Sequence, residues 1–173
     1  MNPLVPLLRA FHARSVRFVV IGVAGANYYA PSGQAAFITQ DHDLFLPPDP
    51  DNLVNAWAAC EDAGVELWLS DDPLDRPRDR WLAERVVERR ALTRATGPDD
   101  LLVDLTLVMK GYDFETIWAE RREFVIDGAA IPVARLLHIV TSKHAVGRDK
   151  DRLFLATHRD ALEQLLGKRD FQR

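Results

Sequence analysis

The sequence predicts one α/β domain of the α+β type, a small mixed β-sheet flanked by helices, with further helices at the C-terminus. Two apolar segments, residues 16–22 and 101–109, have the composition of buried strands. Apolar residues recur at helical spacing in residues 3–13 and 51–63. No internal repeat or long linker interrupts the chain, so a single domain over residues 1–173 is expected.

The N-terminal half is predicted to alternate helices and strands. Residues 16–22 end in glycine, which suits a turn from a strand into a helix. Pro31-Ser32-Gly33 is expected to stop that helix, and Pro47-Pro48 to end the following strand. The predicted elements are helix 3–13, strand 16–22, helix 23–30, a strand within 36–47, helix 51–63 and strand 65–69.

The C-terminal half contains one undecided segment. Residues 70–80 are rich in proline and aspartate, and we expect a loop there. Periodicity does not decide between helix and strand for residues 81–93. Asp127-Gly128 predicts the turn of a β-hairpin. The other predicted elements are strand 101–109, helix 114–121, hairpin 123–133 and helices 134–147 and 149–166.

Composition and charge restrict the classes of function. A net charge of −4 argues against broad electrostatic wrapping of nucleic acid, although a local basic groove stays open. Cys60 lies in the apolar register of a helix, so a buried, inert thiol is predicted. The sequence begins with no basic segment followed by a long apolar run, and it has no apolar stretch of membrane-spanning length. A cytoplasmic protein that does not bind membranes is therefore expected.

Three aspartates carry the main functional signal. Side chains alternate along a strand, so Asp41 and Asp43 of the segment Asp41-His42-Asp43 point to the same face. Adjacent carboxylates repel and need a cation, a shared proton or solvent. Asp104 is the one charged residue of an apolar strand, where an unpaired charge is costly.

A divalent metal shared by Asp41, Asp43 and Asp104 would meet both needs. Ligands that are all carboxylate oxygens favour Mg²⁺ or Mn²⁺ over Zn²⁺. The alternatives are a solvated strand end for the aspartate pair, and an edge position or an arginine partner for Asp104. The order of strand, glycine turn, helix, D-x-D strand and later strand aspartate favours the metal site.

The same order resembles a known family. Ile21-Gly22-Val23-Ala24-Gly25, Asp41-His42-Asp43 and Asp104 are similar to the motifs of minimal bacterial and archaeal nucleotidyltransferases of the DNA polymerase β superfamily, close to the stand-alone types found beside toxin–antitoxin loci. Residues 142–151 (SKHAVGRDKD) resemble the family's terminal K-x-x-A-x-R-x-K-D segment. The resemblance covers roughly residues 16–166 and implies the nucleotidyltransferase fold.

The resemblance implies attack by an acceptor hydroxyl on the α-phosphorus of a nucleoside triphosphate, with release of pyrophosphate. Asp41, Asp43 and Asp104 would be the catalytic residues and would hold Mg²⁺ or Mn²⁺. Asp104 would bind the metal on the nucleophile side and could take the acceptor's proton. The acceptor would be a protein, an RNA or a small molecule. Because the chain is short, acceptor recognition is expected to need a partner protein or a homodimer.

Five further residues are predicted to bind the nucleotide. Backbone N–H groups at Gly22 and Val23 would approach the triphosphate, the alternative being a tight turn without a ligand. Thr39 either orients the first aspartate of the D-x-D pair through its hydroxyl or is an ordinary strand residue. Lys143 and Lys150 are predicted to face the nucleotide, the alternative being a solvated helix face.

Two departures from the family keep other functions open. Relatives carry Gly-Gly or Gly-Ser where this chain has Gly22-Val23, and many carry an arginine where Phe37 stands. With the first change, one phosphate contact is absent or comes from the backbone alone. The second removes a possible phosphate-binding cation. The second hypothesis is therefore a non-catalytic nucleotide- or protein-binding module on the same fold, such as a toxin–antitoxin component. A metal-dependent phosphohydrolase is disfavoured because His42 and His144 form no histidine–aspartate ligand cluster.

Overall fold

The computed structural model describes residues 2–31, 37 and 39–172. Ser32 and Gly33 of the predicted helix stop, and the start of the predicted strand 36–47, lie outside the described residues. The helices within the described residues are α1 (Leu4–Ala13), α2 (Gly22–Asn27), α3 (Pro50–Asp62), α4 (Arg80–Arg89), α5 (Phe114–Glu120), α6 (Leu136–Val146), α7 (Asp149–Thr157), α8 (Arg159–Leu166) and α9 (Lys168–Phe171).

One mixed sheet organises the chain and confirms the predicted α/β class. Its strands are β1 (Val19–Ile21), β2 (His42–Phe45), β3 (Glu66–Leu69), β4 (Asp72–Pro73), β5 (Thr93–Thr96), β6 (Leu102–Thr106), β7 (Arg122–Ile126) and β8 (Ala129–Val133). Their order is β4-β3-β5-β6-β2-β1-β8-β7. The pairs β1–β8 and β2–β6 are parallel, and the other pairs are antiparallel.

Helices pack on both faces of the sheet. On one face, α1, α3 and α4 enclose a core that includes the fully buried Trp57. On the other, α5, α6 and the C-terminal helices pack around Phe45. Strand alternation divides neighbouring residues between these cores, so Leu44 joins the first and Phe45 the second. Asp41 and Asp43 have the parity of Phe45 and therefore face the side of the C-terminal helices.

The undecided segment 81–93 is helical up to Arg89, and its last residue, Thr93, begins strand β5. Asp79 caps α4 by accepting a hydrogen bond from the Leu82 amide at 3.1 Å. Arg90 then takes a left-handed conformation that ends the helix. The chain then turns back and forms β5. This strand was not predicted, because the short run Thr93–Thr96 has a charged residue at its second position. The predicted loop 70–80 was wrong at the two-residue strand β4 and at Arg80, which begins α4.

The predicted helix 149–166 was wrong as one continuous element. The chain leaves helical geometry at His158, between α7 and α8. The ring of His158 packs edge-on against Phe37 at 4.6 Å and against Phe154 at 5.0 Å between centroids. The break therefore coincides with the packing of His158 against Phe37, and α9 is a further helix that was not predicted.

Two local predictions are confirmed. Asp127 and Gly128 turn the β7–β8 hairpin with φ values of 50° and 77°. Cys60 is buried, and burial raises the pKa of its thiol to about 12, so the thiol is protonated at neutral pH.

Through the part of the chain that the structure describes, no helix is long and apolar enough to cross a bilayer.

Candidate functional site

Strand register brings the three predicted carboxylates together. The parallel pairing of β2 with β6 sets Asp43 directly beside Asp104. Asp41 precedes Asp43 by two positions and therefore lies on the same face. One carboxylate oxygen from each of the three residues lies within 4.8 Å of the others, so the group could hold a metal ion.

Gly22 permits the close approach of β1 and β2 at this point. The pairing of Ile21 with Asp43 puts Gly22 against the Asp43 side chain. Gly22 has a φ of +68°, and an added Cβ would overlap Asp43 Oδ2. Gly22 therefore makes room for the Asp43 carboxylate, and its predicted contact with phosphate stays a prediction. Val23 follows it and borders the same cleft.

Thr39 orients Asp41. Its hydroxyl lies 3.0 Å from Asp41 Oδ1 and 3.1 Å from the Asp41 carbonyl oxygen, and it can donate to either. The hydrogen bond anticipated between Thr39 and the first aspartate is therefore present, and a contact of Thr39 with a nucleotide stays a prediction.

Asp104 is paired with an arginine, as one alternative anticipated. Arg94 lies opposite Asp104 in the antiparallel β5–β6 pair. Its Nε donates to Asp104 Oδ1 at 2.7 Å, and its Nη2 donates to Oδ2 at 3.0 Å. The Asp104 side chain is only 9% exposed, so this bidentate ion pair offsets the cost of burying its negative charge. Arg94 was missed because β5 was not predicted.

Burial, together with repulsion from the neighbouring carboxylates, changes the ionisation of Asp43. Burial and the negative charges of Asp41 and Asp104 raise the pKa of Asp43 to about 6. The positive charges of Lys143 and Lys150 act in the opposite direction. The two predicted lysines are therefore near enough to affect Asp43, and a bound cation would relieve the same repulsion.

The α6–α7 segment, residues 142–151, includes the end of α6 and the start of α7 and carries a second charged cluster. Asp151 is 1% exposed and accepts hydrogen bonds from Lys143 Nζ at 3.4 Å and Arg148 Nε at 2.8 Å. Burial opposes ionisation of Asp151, but the Arg148 hydrogen bond and the Lys143 charge outweigh it and lower its pKa. His144 Nε2 lies 2.8 Å from the Phe171 carbonyl oxygen.

Both clusters border one cleft of about 830 Å³. The predicted site residues that border it are Gly22, Val23, Thr39, Asp41, Asp43, Asp104, Lys143 and Lys150. Arg94, Arg148 and Asp151 border it as well and were not predicted as site residues. A larger cavity of about 1110 Å³ beside β3 and β4 is lined by none of these residues, so the smaller cleft is the candidate functional site.

Comparisons with known proteins add little to this geometry. No protein-family model matches the chain, and no curated protein matches it. Among solved structures, the chain is similar to the crystal structure of JHP933 from Helicobacter pylori. The two share 18% sequence identity, with 95% of this chain and 72% of that chain covered, at a TM-score of 0.41. A likeness at this level carries no argument about fold family or function.

Proposed function

We propose that the chain is a metal-dependent nucleotidyltransferase with the fold of the DNA polymerase β superfamily. It would move a nucleoside monophosphate from a nucleoside triphosphate to a hydroxyl acceptor. The observation that carries the proposal is the row of carboxylates at Asp41, Asp43 and Asp104, facing the cations of the α6–α7 segment across one cleft. Negative groups suited to a metal and positive groups suited to phosphates are the two halves that such a reaction needs.

The donor set fits a hard divalent ion. All three groups offer carboxylate oxygens, which Mg²⁺ and Mn²⁺ prefer. Bound ions of this kind supply positive charge that activates the attacking oxygen and stabilises the departing pyrophosphate. The protein contributes the placement: Thr39 fixes Asp41, and Gly22 lets the Asp43 carboxylate sit against the first turn of α2.

Three cations of the α6–α7 segment would bind the triphosphate. Lys143 is 13% exposed and is held by the buried Asp151, so its ammonium is oriented before a ligand arrives. Arg148 shares that anchor, and Lys150 acts on Asp43 through its charge. Arg148 borders the cleft and offers a phosphate-binding guanidinium in a chain that has Phe37 where relatives carry arginine.

Lys143→Gln should weaken triphosphate binding about tenfold, because one oriented charge-assisted contact is worth roughly that factor. Calorimetric titration with a non-hydrolysable nucleoside triphosphate and Mg²⁺ measures this. Lys168→Gln is the matched control, because Lys168 is exposed on α9 and does not border the cleft. Equal affinities for the two variants would remove Lys143 from the proposed nucleotide site.

Metal binding should depend on pH through Asp43. Its carboxyl has a pKa of about 6, and a proton and a metal ion compete for the same oxygens. We expect the Mn²⁺ affinity to be constant above about pH 7 and to fall about tenfold per pH unit below 6. Titrations of Mn²⁺ followed by electron paramagnetic resonance at several pH values test this. An affinity that stays constant down to pH 4.5 would contradict it.

Label transfer tests the activity itself. The protein is incubated with each nucleoside triphosphate, labelled at the α-phosphate, with Mg²⁺ or Mn²⁺ and with a cell lysate as the source of acceptors. Transfer to a lysate component that is lost in Asp43→Ala supports the proposal, and fractionation then assigns the acceptor to protein, RNA or small molecule. Absence of both transfer and metal-dependent nucleotide binding would rule out an active enzyme.

One observation favours a second candidate, a nucleotide- or protein-binding module that transfers nothing. Arg94 engages both oxygens of Asp104, the carboxylate that would serve the nucleophile. In this candidate Arg94 replaces a metal permanently, and the chain acts by binding, as a toxin–antitoxin component would. Nucleotide or protein binding that does not depend on a divalent metal, without label transfer and in the presence of a partner protein or as a homodimer, would support it.

A further inference from the structure

We propose that Arg94 controls the entry of Asp104 into the metal centre. A first divalent ion binds Asp41 and Asp43 alone, and Asp104 becomes a ligand only when the Arg94 guanidinium leaves it. Arg94 is thus a positioning residue whose guanidinium pairs with Asp104 until a metal ion replaces it. The inference rests on the proposed metal-dependent function and gives the order in which the carboxylates are used.

The contact geometry supports competition at Asp104. The two parallel hydrogen bonds, 2.7 Å and 3.0 Å long, engage both oxygens of the carboxylate. The outer lone pairs stay free, but a divalent ion placed there would lie beside the positive guanidinium. Two cations would then share one carboxylate at short range, which Coulomb repulsion opposes. Asp41 and Asp43 have no such hydrogen bond from Arg94 among the described residues.

The difference in burial between Asp104 and Arg94 determines which of the two moves when a metal ion binds. The Asp104 side chain is 9% exposed, so its charge needs a cation at all times. The Arg94 side chain is 43% exposed, so its guanidinium can return to water when an ion replaces it. Arg94 also borders the cleft, where a released guanidinium can meet a phosphate. The mobile partner is therefore the arginine, and the carboxylate stays in place.

Binding of Mn²⁺ alone provides the test, read by electron paramagnetic resonance without any turnover. In the wild type, Asp43→Asn should abolish binding, whereas Asp104→Asn should change the Kd by no more than about twofold. Arg94→Gln should tighten Mn²⁺ binding about tenfold, because a third carboxylate then becomes available. The Arg94→Lys variant keeps a charge but lacks the bidentate fork, so its affinity should fall between those of the wild type and Arg94→Gln.

Two controls separate release of a ligand from simple loss of charge. Lys150→Gln removes a cation that acts on Asp43 but has no hydrogen bond to Asp104 among the described residues. It should tighten Mn²⁺ binding less than Arg94→Gln does. In the double variant with Asp104→Asn, the gain from Arg94→Gln should fall to about that of Lys150→Gln, because the Arg94 charge also acts on Asp41 and Asp43. Melting curves establish that each variant is folded.

Two results would overturn the inference while leaving the proposed function intact. One is an Asp104→Asn variant that loses Mn²⁺ binding as fully as Asp43→Asn, because Asp104 would then be a ligand from the start. The other is an Arg94→Gln variant that binds Mn²⁺ no more tightly than Lys150→Gln. A wild-type protein that binds no Mn²⁺ at pH 7.5 would overturn both this inference and the proposed function.

Discussion

Gly22→Ala is expected to destabilise the protein by about 3 kcal/mol and to abolish Mn²⁺ binding, since it combines backbone strain with a steric overlap. The φ of +68° is costly for any residue with a Cβ, and that Cβ would overlap Asp43 Oδ2. Asp43 would have to leave its position beside Asp104. Chemical denaturation measures the free energy of unfolding, and electron paramagnetic resonance measures the bound Mn²⁺.

Gly64→Ala provides the matched control for that result. Gly64 has a φ of +72°, nearly that of Gly22, but no atom of the described residues lies within 4 Å of a Cβ added there. This variant should lose only about 1 kcal/mol from backbone strain and should bind Mn²⁺ normally. If the two alanine variants lost equal stability and both bound Mn²⁺, the proposed role of Gly22 in seating Asp43 would be wrong.

Asp43→Asn is expected to stabilise the metal-free protein by about 2 kcal/mol at pH 7.5 while abolishing Mn²⁺ binding. Between about pH 4 and pH 6 the folded protein holds a proton on Asp43 that the unfolded chain has released. The contribution of this carboxyl to the free energy of unfolding therefore falls as the pH rises through that window. Asparagine keeps the shape of the side chain without the charge and so removes this loss.

The pH dependence of the same variant gives an internal control. Thermal and chemical unfolding of both proteins in a chelator should give similar stabilities near pH 4, where Asp43 is protonated, and a difference that grows up to about pH 7. With saturating Mn²⁺ the order should reverse, since only the wild type gains stability from the bound ion. A variant less stable than the metal-free wild type at pH 7.5 would show that the buried Asp43 charge, beside two other carboxylates, does not destabilise the metal-free protein.

The sequence could predict the carboxylates because their signals are local. Alternation along a strand puts Asp41 and Asp43 on one face, and a lone charge within residues 101–109 marks Asp104. Their proximity depends on the register that pairs Asp43 with Asp104, which no local pattern contains. It was anticipated from the order of the motifs and not from the residues themselves.

The residues that were missed depend on longer-range structure. Arg94 reaches Asp104 only because α4 ends at a left-handed Arg90 and the chain returns as β5. That return could not be inferred from residues 81–93, whose periodicity fits a helix or a strand. Asp151 acts as the anchor of Lys143 because α7 packs against α6, which buries a carboxylate that the sequence presents among exposed charges. Tertiary packing decided both.

The carboxylates and cations of one cleft are proposed to bind a nucleoside triphosphate through a divalent metal. Calorimetric titration of the wild type and Asp43→Asn with a non-hydrolysable analogue of each nucleoside triphosphate, in Mg²⁺ and in chelator, tests it most directly. We predict binding of at least one analogue that is at least about tenfold tighter in Mg²⁺ for the wild type, with no such gain for Asp43→Asn. Equal affinities with and without Mg²⁺, or a gain that persists in Asp43→Asn, would contradict the claim.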